Sequence, residues 1–144
     1  MNIYFSCSIT GGRDDQSAYR SIVDALLSTG HIVPTAVLAD EDVLDYERSI
    51  SAEEIYSRDI HWLDECDAVV AEVSTPSHGV GYEIAYALLQ GKPVLCGYRA
   101  DKKISKMLEG NSHSRIRVIS YHQVDEFIQA IDAFLHEVSK GKFA

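Results

Sequence analysis

The sequence predicts one three-layer α/β domain, residues 1–144, built on a five-stranded parallel sheet. Three observations carry that expectation. Strand-like and helix-like segments alternate from end to end, the pattern of a parallel sheet with helices on both faces. The runs "DAVVAEV" and "KPVLCGY" are continuously apolar over strand length, as expected where a strand is covered on both sides. A chain of 144 residues can bury one core, and no stretch of it reads as a linker between two.

The elements follow in order. "NIYFSCSI" is a short β-prone run. "DDQSAYRSIVDALLSTG" repeats apolar residues at helical spacing (Ala18, Ile22, Ala25, Leu26) and stops at Gly30. "HIVPTAV" is a second strand weakened by Pro34, which suits an edge. The acidic "LADEDVLDYERSI" is weakly patterned and reads as a mobile loop. "SAEEIYSRDIHWLDEC" starts with Ser51 and Glu54 in capping-box spacing and continues as an amphipathic helix. After the strand "DAVVAEV", "GVGYEIAYALLQG" is a helix closed by Gly91. "KPVLCGY" is a buried strand, "DKKISKMLEG" a short helix, and "RIRVISY" with "HQVDEFIQAIDAFLHEVSKG" the last strand and helix.

Composition narrows the function. Acidic residues outnumber basic ones 22 to 13, and only the short "RADKK" and "RIR" pieces cluster positive charge. This argues against extended nucleic acid or an anionic membrane as partner. Cys7, Cys66 and Cys96 are widely spaced, lie in or beside apolar segments, and read as buried reduced thiols. The start of the chain has no basic n-region or cleavage site, and no apolar run reaches the ~20 residues that span a bilayer. A cytoplasmic protein is expected. The six histidines show no ligand spacing, so neither metal nor cofactor is expected, and no Gly-x-Ser-x-Gly elbow is present.

In such sheets ligands sit at the carboxyl ends of the strands. The two loops there are "CSITGGRDD" and "STPSHGVGYE". Gly11-Gly12 and Gly79-x-Gly81 let backbone approach a ligand and precede helices whose first amides lack internal partners, so both can hold an anion or be ordinary tight turns. Glu83 is expected in the first turn of its helix, where the dipole keeps it anionic; its role is either that alone or chemistry. Asp59 borders a core-facing stripe formed by Ile55, Trp62 and Leu63, a costly place for an unpaired carboxylate. It is either a structural ion pair or the partner of Glu83 in the carboxylate pair that glycosidic-bond cleavage uses. Tyr4 is either a core tyrosine with a satisfied hydroxyl or a donor to a carboxylate or sugar.

Taken together, "IYFSCSITGGRDD", "RDIHWLDECDAVVAEVS" and "PSHGVGYEIAYA" resemble the 2'-deoxynucleoside 5'-monophosphate N-hydrolases, the Rcl type within the nucleoside 2-deoxyribosyltransferase superfamily. The resemblance runs from residue 2 to about residue 108, and "AEVSTPSHGVGYE" is its most specific piece. It implies a flavodoxin-like, Rossmann-like fold, a homodimer, and hydrolysis of a nucleotide's N-glycosidic bond to free base and 2-deoxyribose 5-phosphate. It also implies Glu83 as nucleophile, Asp59 as the second carboxylate, and Tyr4 as the residue that sets nucleophile and sugar. Ser77 with the Gly79 amides matches the phosphate-binding turn, and Ser105 a serine that reaches the phosphate from the partner subunit.

The chain departs from the family pattern at three places. Thr10 stands where the family commonly has arginine, so phosphate recognition falls to amides and hydroxyls of Ser8, Ile9, Gly11 and Gly12 and to Arg13. Thr35-Ala36 stands where a Glu-His pair is frequent, and His78 where an aliphatic residue is usual. Base exchange by a deoxyribosyltransferase, again through Glu83, and a non-catalytic nucleotide sensor are the alternative readings.

Overall fold

The computed structural model describes residues 1–9 and 15–143. Four strands, β1 (Ile3–Ser6), β2 (Ala68–Glu72), β3 (Val94–Arg99) and β4 (Ile116–Tyr121), form one sheet in the order β1-β2-β3-β4, with every neighbouring pair parallel. Helices α1 (Gln16–Ser28), α2 (Val43–Arg48), α3 (Ala52–Glu65), α4 (His78–Leu89), α5 (Lys106–Glu109) and α6 (Val124–Ser139) make the connections.

Among the described residues the sheet therefore has four strands rather than the five expected. The segment "HIVPTAV" contributes a single parallel bridge, Asn2 to Ile32, closed by Ile3 N donating to Ile32 O at 2.8 Å and Ile32 N to Met1 O at 2.9 Å. Pro34 lacks the N–H that would extend the ladder, and the chain turns into a 3-10 helix at Ala36–Ala39. The next strand amide is satisfied another way: Phe5 N donates to the hydroxyl of the buried Thr35 at 2.9 Å. One side-chain oxygen thus replaces a strand carbonyl.

Strand alternation divides the core. Ile3, Phe5, Val70 and Leu95 pack with Tyr19, Ile22, Leu26, Phe127, Ile131 and Phe134 of α1 and α6. Tyr4, Val69, Ala71 and Cys96 pack with Leu63 of α3 and Val80, Ile84 and Ala87 of α4. All of β2 is buried, as its unbroken apolar run anticipates. The acidic stretch expected as a mobile loop is instead structured, because Leu38, Ala39 and Val43 insert into the α1/α6 side of the core. The capping box of α3 forms with both arms: Glu54 N to Ser51 Oγ at 3.2 Å and Ser51 N to Glu54 Oε2 at 3.1 Å.

Gly97 on β3 sets the packing of α6. A Cβ there would lie 2.3 Å from the Phe127 ring, which is itself stacked on Tyr121 with centroids 5.4 Å apart. No rotamer of a fully buried ring relieves that overlap without moving α6. Gly97→Ala is therefore expected to lower stability by about 2–3 kcal/mol, measured as a drop in the urea midpoint.

Candidate active site

The site is built where β1 meets α4. Residues 4 and 6 share one face of β1, so both hydroxyls project toward the α3/α4 layer. Helix α4 begins at Ser77, an extended residue whose Oγ accepts from Val80 N at 3.4 Å. Val80, Ile84 and Ala87 bury one stripe of the helix, and Glu83 flanks it facing β1. Tyr4 Oη donates to Glu83 Oε1 at 2.9 Å, and Ser6 Oγ donates to Glu83 Oε2 in a short hydrogen bond. Both carboxyl oxygens are thereby fixed.

Two expectations about Glu83 are corrected here. His78, Gly79 and Val80 are already helical, so Glu83 lies in the second turn, where the terminal dipole has largely faded; Gly79 and Gly81 are helix residues rather than a loop. Nor does the carboxylate keep an ordinary acidity. Burial pushes Glu83 up to about 7, and the charge of Asp59 adds to the rise; the hydrogen bonds from Ser6 and Tyr4, and the positive charge of Arg58, oppose it. Burial, with the charges of Glu83 and Asp59, in turn raises Tyr4 well above the ordinary phenol range, so Tyr4 stays a donor.

Asp59 projects from the core-facing side of α3, one turn before the buried Leu63. Arg58 Nε donates to Asp59 Oδ1 at 2.8 Å, and Arg58 Nη2 donates to Glu47 Oε1 of α2 at 3.0 Å. The Arg58 guanidinium also lies over the Trp62 ring at 4.8 Å and the Tyr46 ring at 5.9 Å. Burial raises Asp59, the hydrogen bond and charge of Arg58 lower it, and Glu47 raises it again. Glu83, Tyr4, Asp59 and Arg58 therefore act on one another as one electrostatic group.

The other expected residues are more dispersed. Ser8 is buried just beyond β1, and Ile9 packs on the α1/α6 core. Ser105 caps α5 by accepting from Met107 N at 3.2 Å. Ser77 and Ser105 line a groove of about 930 Å³ between α4 and the α5 segment, together with apolar residues such as Val80, Ala85, Leu88 and Met107. Glu83, Asp59 and Tyr4 do not line it. Gly11, Gly12 and Arg13 lie outside the described residues, as does Thr10.

Sequence reasoning missed Ser6, Arg58 and Glu47. Ser6 was accessible through its parity with Tyr4; the other two carried no signal. It also missed a buried network at the end of β2. The fully buried Glu72 accepts from Ser74 Oγ, from Ser74 N at 3.3 Å and from Tyr121 Oη at 2.9 Å. Ser74 Oγ in turn accepts from Arg99 N at 2.8 Å, while Asp15 accepts from Thr75 Oγ1 at 3.0 Å and from Arg99 Nη1. This network pins the turn that leads to Ser77.

A carboxylate gripped by two hydroxyls at the carboxyl end of a parallel sheet, with a second carboxylate in its field, is the kind of arrangement found at the small-molecule sites of α/β domains. The nucleoside 2-deoxyribosyltransferase family matches residues 3–132, and the chain belongs to that family. It is 39% identical to a Thermofilum pendens protein provisionally named 2'-deoxynucleoside 5'-phosphate N-hydrolase 1, covering 94% of this chain and 95% of that one. It is 34% identical to the 5-hydroxymethyl-dUMP N-hydrolase of Danio rerio, covering 98% and 100%. Among solved structures, the CMP N-glycosidase BcmB of Clostridium botulinum shares the fold with a TM-score of 0.66 at 19% identity, over 90% of this chain and 98% of that one.

The weakened acidity of Glu83 makes stability depend on pH. A carboxyl that rises from 4.5 to about 7 on folding favours the folded state in its neutral form; that contribution is complete below pH 4.5 and is lost as pH climbs through 7. Glu83→Gln keeps the neutral form throughout. It should be more stable than wild type by about 1–3 kcal/mol at pH 8, with the gap closing toward pH 4.5, as read by thermal unfolding at the two pH values.

Proposed function

We propose that the protein hydrolyses the N-glycosidic bond of 2'-deoxynucleoside or ribonucleoside 5'-monophosphates, releasing the free base and the sugar 5-phosphate. The observation that carries this reading is the Glu83 carboxylate held at both oxygens by Tyr4 and Ser6, with Asp59 in its field. Family membership and relatives named as N-hydrolases support it.

The chemistry proceeds in two steps. Glu83 attacks C1', the C1'–N bond breaks with its electron pair leaving on the base, and a glycosyl ester forms. Water then attacks C1' from the opposite face, returning the glutamate and giving overall retention. Tyr4 and Ser6 orient the attacking carboxylate and oppose the effect of burial, so a useful fraction is ionised near neutral pH. Asp59, itself raised by burial, delivers or accepts a proton at the base or a sugar hydroxyl. The two carboxylates stabilise the positive charge that develops at C1'.

Ser77, the Gly79 amide, Ser8, Ile9, Gly11, Gly12 and Arg13 hold the phosphate. Ser105 completes the phosphate site of a second subunit. The dimer face in this reading is the outer flank of α4 and α5, where Tyr82, Leu89 and Met107 are 54%, 87% and 83% exposed beside the exposed small residues Gly81 and Ala85. Three free, buried cysteines suit a reducing cytoplasm, and no helix among the described residues is long and apolar enough to cross a membrane.

Base exchange is the second reading, favoured by the transferase name of the family. Purified protein and its Glu83→Ala variant, incubated with deoxy- and ribonucleoside 5'-monophosphates and the matching nucleosides, separate the two by chromatography. Base released from monophosphates by wild type, and reduced by about a thousandfold or more in Glu83→Ala, is the expected result. Release that requires an added acceptor base would make the protein a transferase, and binding without product a sensor. Subunit exchange between inactive Glu83→Ala and Ser105→Ala dimers should regenerate intact sites and recover activity; a mixture as inactive as its parents would place Ser105 outside the partner's site.

A further inference from the structure

The proposed chemistry leaves the largely buried Arg58 without a role. Arg58 is 85% buried by side-chain area (15% exposed). Its Nε and Nη2 are taken by Asp59 and Glu47, its face lies on Trp62, and Nη1, although fully buried, has no hydrogen-bond partner. An unpaired guanidinium donor is costly to bury, and most buried polar atoms avoid that state. The same guanidinium acts electrostatically on both Glu83 and Tyr4, as does its partner Asp59, so the Glu47–Arg58–Asp59 group lies within the field of the attacking carboxylate.

We propose that Arg58 is a catalytic, base-recognising residue: Nη1 donates to an acceptor atom of the nucleobase, a pyrimidine carbonyl or a purine ring nitrogen, and stabilises the negative charge that gathers there as C1'–N breaks. The inference rests on the hydrolase reading above. Three features select the base rather than the phosphate. Glu83 marks the C1' end of the nucleotide, from which the base departs, whereas the expected phosphate residue Ser77 caps the start of α4. Glu47 and Asp59 both bond the one guanidinium, so with both carboxylates ionised the trio carries a net negative charge, which repels a phosphate but accepts a neutral ring with a lone pair. The flanking Trp62 and Tyr46 rings supply planar, apolar surface suited to a base. No electron or proton is left unbalanced: the pair from C1'–N resides on the base, shared by the Nη1–H hydrogen bond, until Asp59 or water protonates it.

The test is leaving-group dependence. Wild type, Arg58→Lys and Arg58→Gln are compared on uridine-type monophosphates whose 5-substituents grade the acidity of the departing uracil, from 5-methyl to 5-fluoro. Charge stabilisation at the base predicts a loss in kcat/KM of about 100-fold for the poorest leaving group, shrinking to about tenfold or less for the best, with Arg58→Lys intermediate. The double variant Glu47→Gln/Arg58→Gln, which leaves one fewer carboxylate unpaired, repeats the comparison if Arg58→Gln alone fails to fold. An equal loss for every leaving group would overturn the proposal and reduce Arg58 to a prop for Asp59, with the hydrolase reading intact. Absence of base release by wild type from any of the nucleotides would remove the hydrolase reading itself, and this inference with it.

Discussion

The constraint on which this structure turns is a half-buried, largely desolvated carboxylate that can still ionise. Glu83 sits against the sheet, where loss of water favours its neutral form, and two hydroxyls from β1 oppose that loss. Neither influence alone suits a nucleophile near neutral pH. A fully solvated glutamate would be ionised but well hydrated and freely rotating, while an unsupported buried one would be protonated and inert. The balance puts the group where the proposed nucleophile would be partly ionised near neutral pH, and it depends on β1 and α4 keeping their relative register.

That register is held from several sides. Val80, Ile84 and Ala87 seat α4 on the sheet, and Ser77 sets where the helix begins. The preceding turn is tied down by Glu72, Ser74, Tyr121 and the Asp15–Arg99 pair, which connect β2, β3, β4 and the start of α1. A fully buried carboxylate such as Glu72 is retained only with its acceptor capacity filled, and here hydroxyls and an amide fill it. On the other flank, the Glu47–Arg58–Asp59 chain joins α2 to α3, bringing a segment remote from the sheet into the electrostatics of the site.

Much of this was legible in the chain itself, residue by residue. The unbroken apolar run through Val69 and Val70 required a strand covered on both faces, and the Ser51–Glu54 spacing required a helix start, since both are local patterns with few competing solutions. The fifth strand failed because Pro34 removes a donor and the Thr35 hydroxyl takes the place of a strand carbonyl as acceptor for Phe5 N, a substitution visible only once Phe5 N has a neighbour. The acidic segment near Val43 looked unstructured because three buried side chains, not a periodic face, anchor it. The glycines at the start of α4 read both as helix and as an anion-binding loop, and Ser77 caps a helix that contains them.

The sequence alone determined the layered α/β class and the order of the four paired strands and the main helices between them. These follow from periodicity and residue type, properties set by covalent neighbours, whereas the roles expected of the carboxylates and tyrosine came from resemblance to a known family. Only the tertiary structure decided what those groups are: that Tyr4 and Ser6 grip one carboxyl, that Glu83 is raised rather than held acidic, and that Arg58 binds Asp59 and Glu47 together. Acidity and hydrogen bonding depend on desolvation and on charges a few ångströms away. Those neighbours come from β1, α2, α3 and α4, tens of residues apart in the chain, and no local pattern of residues encodes their meeting.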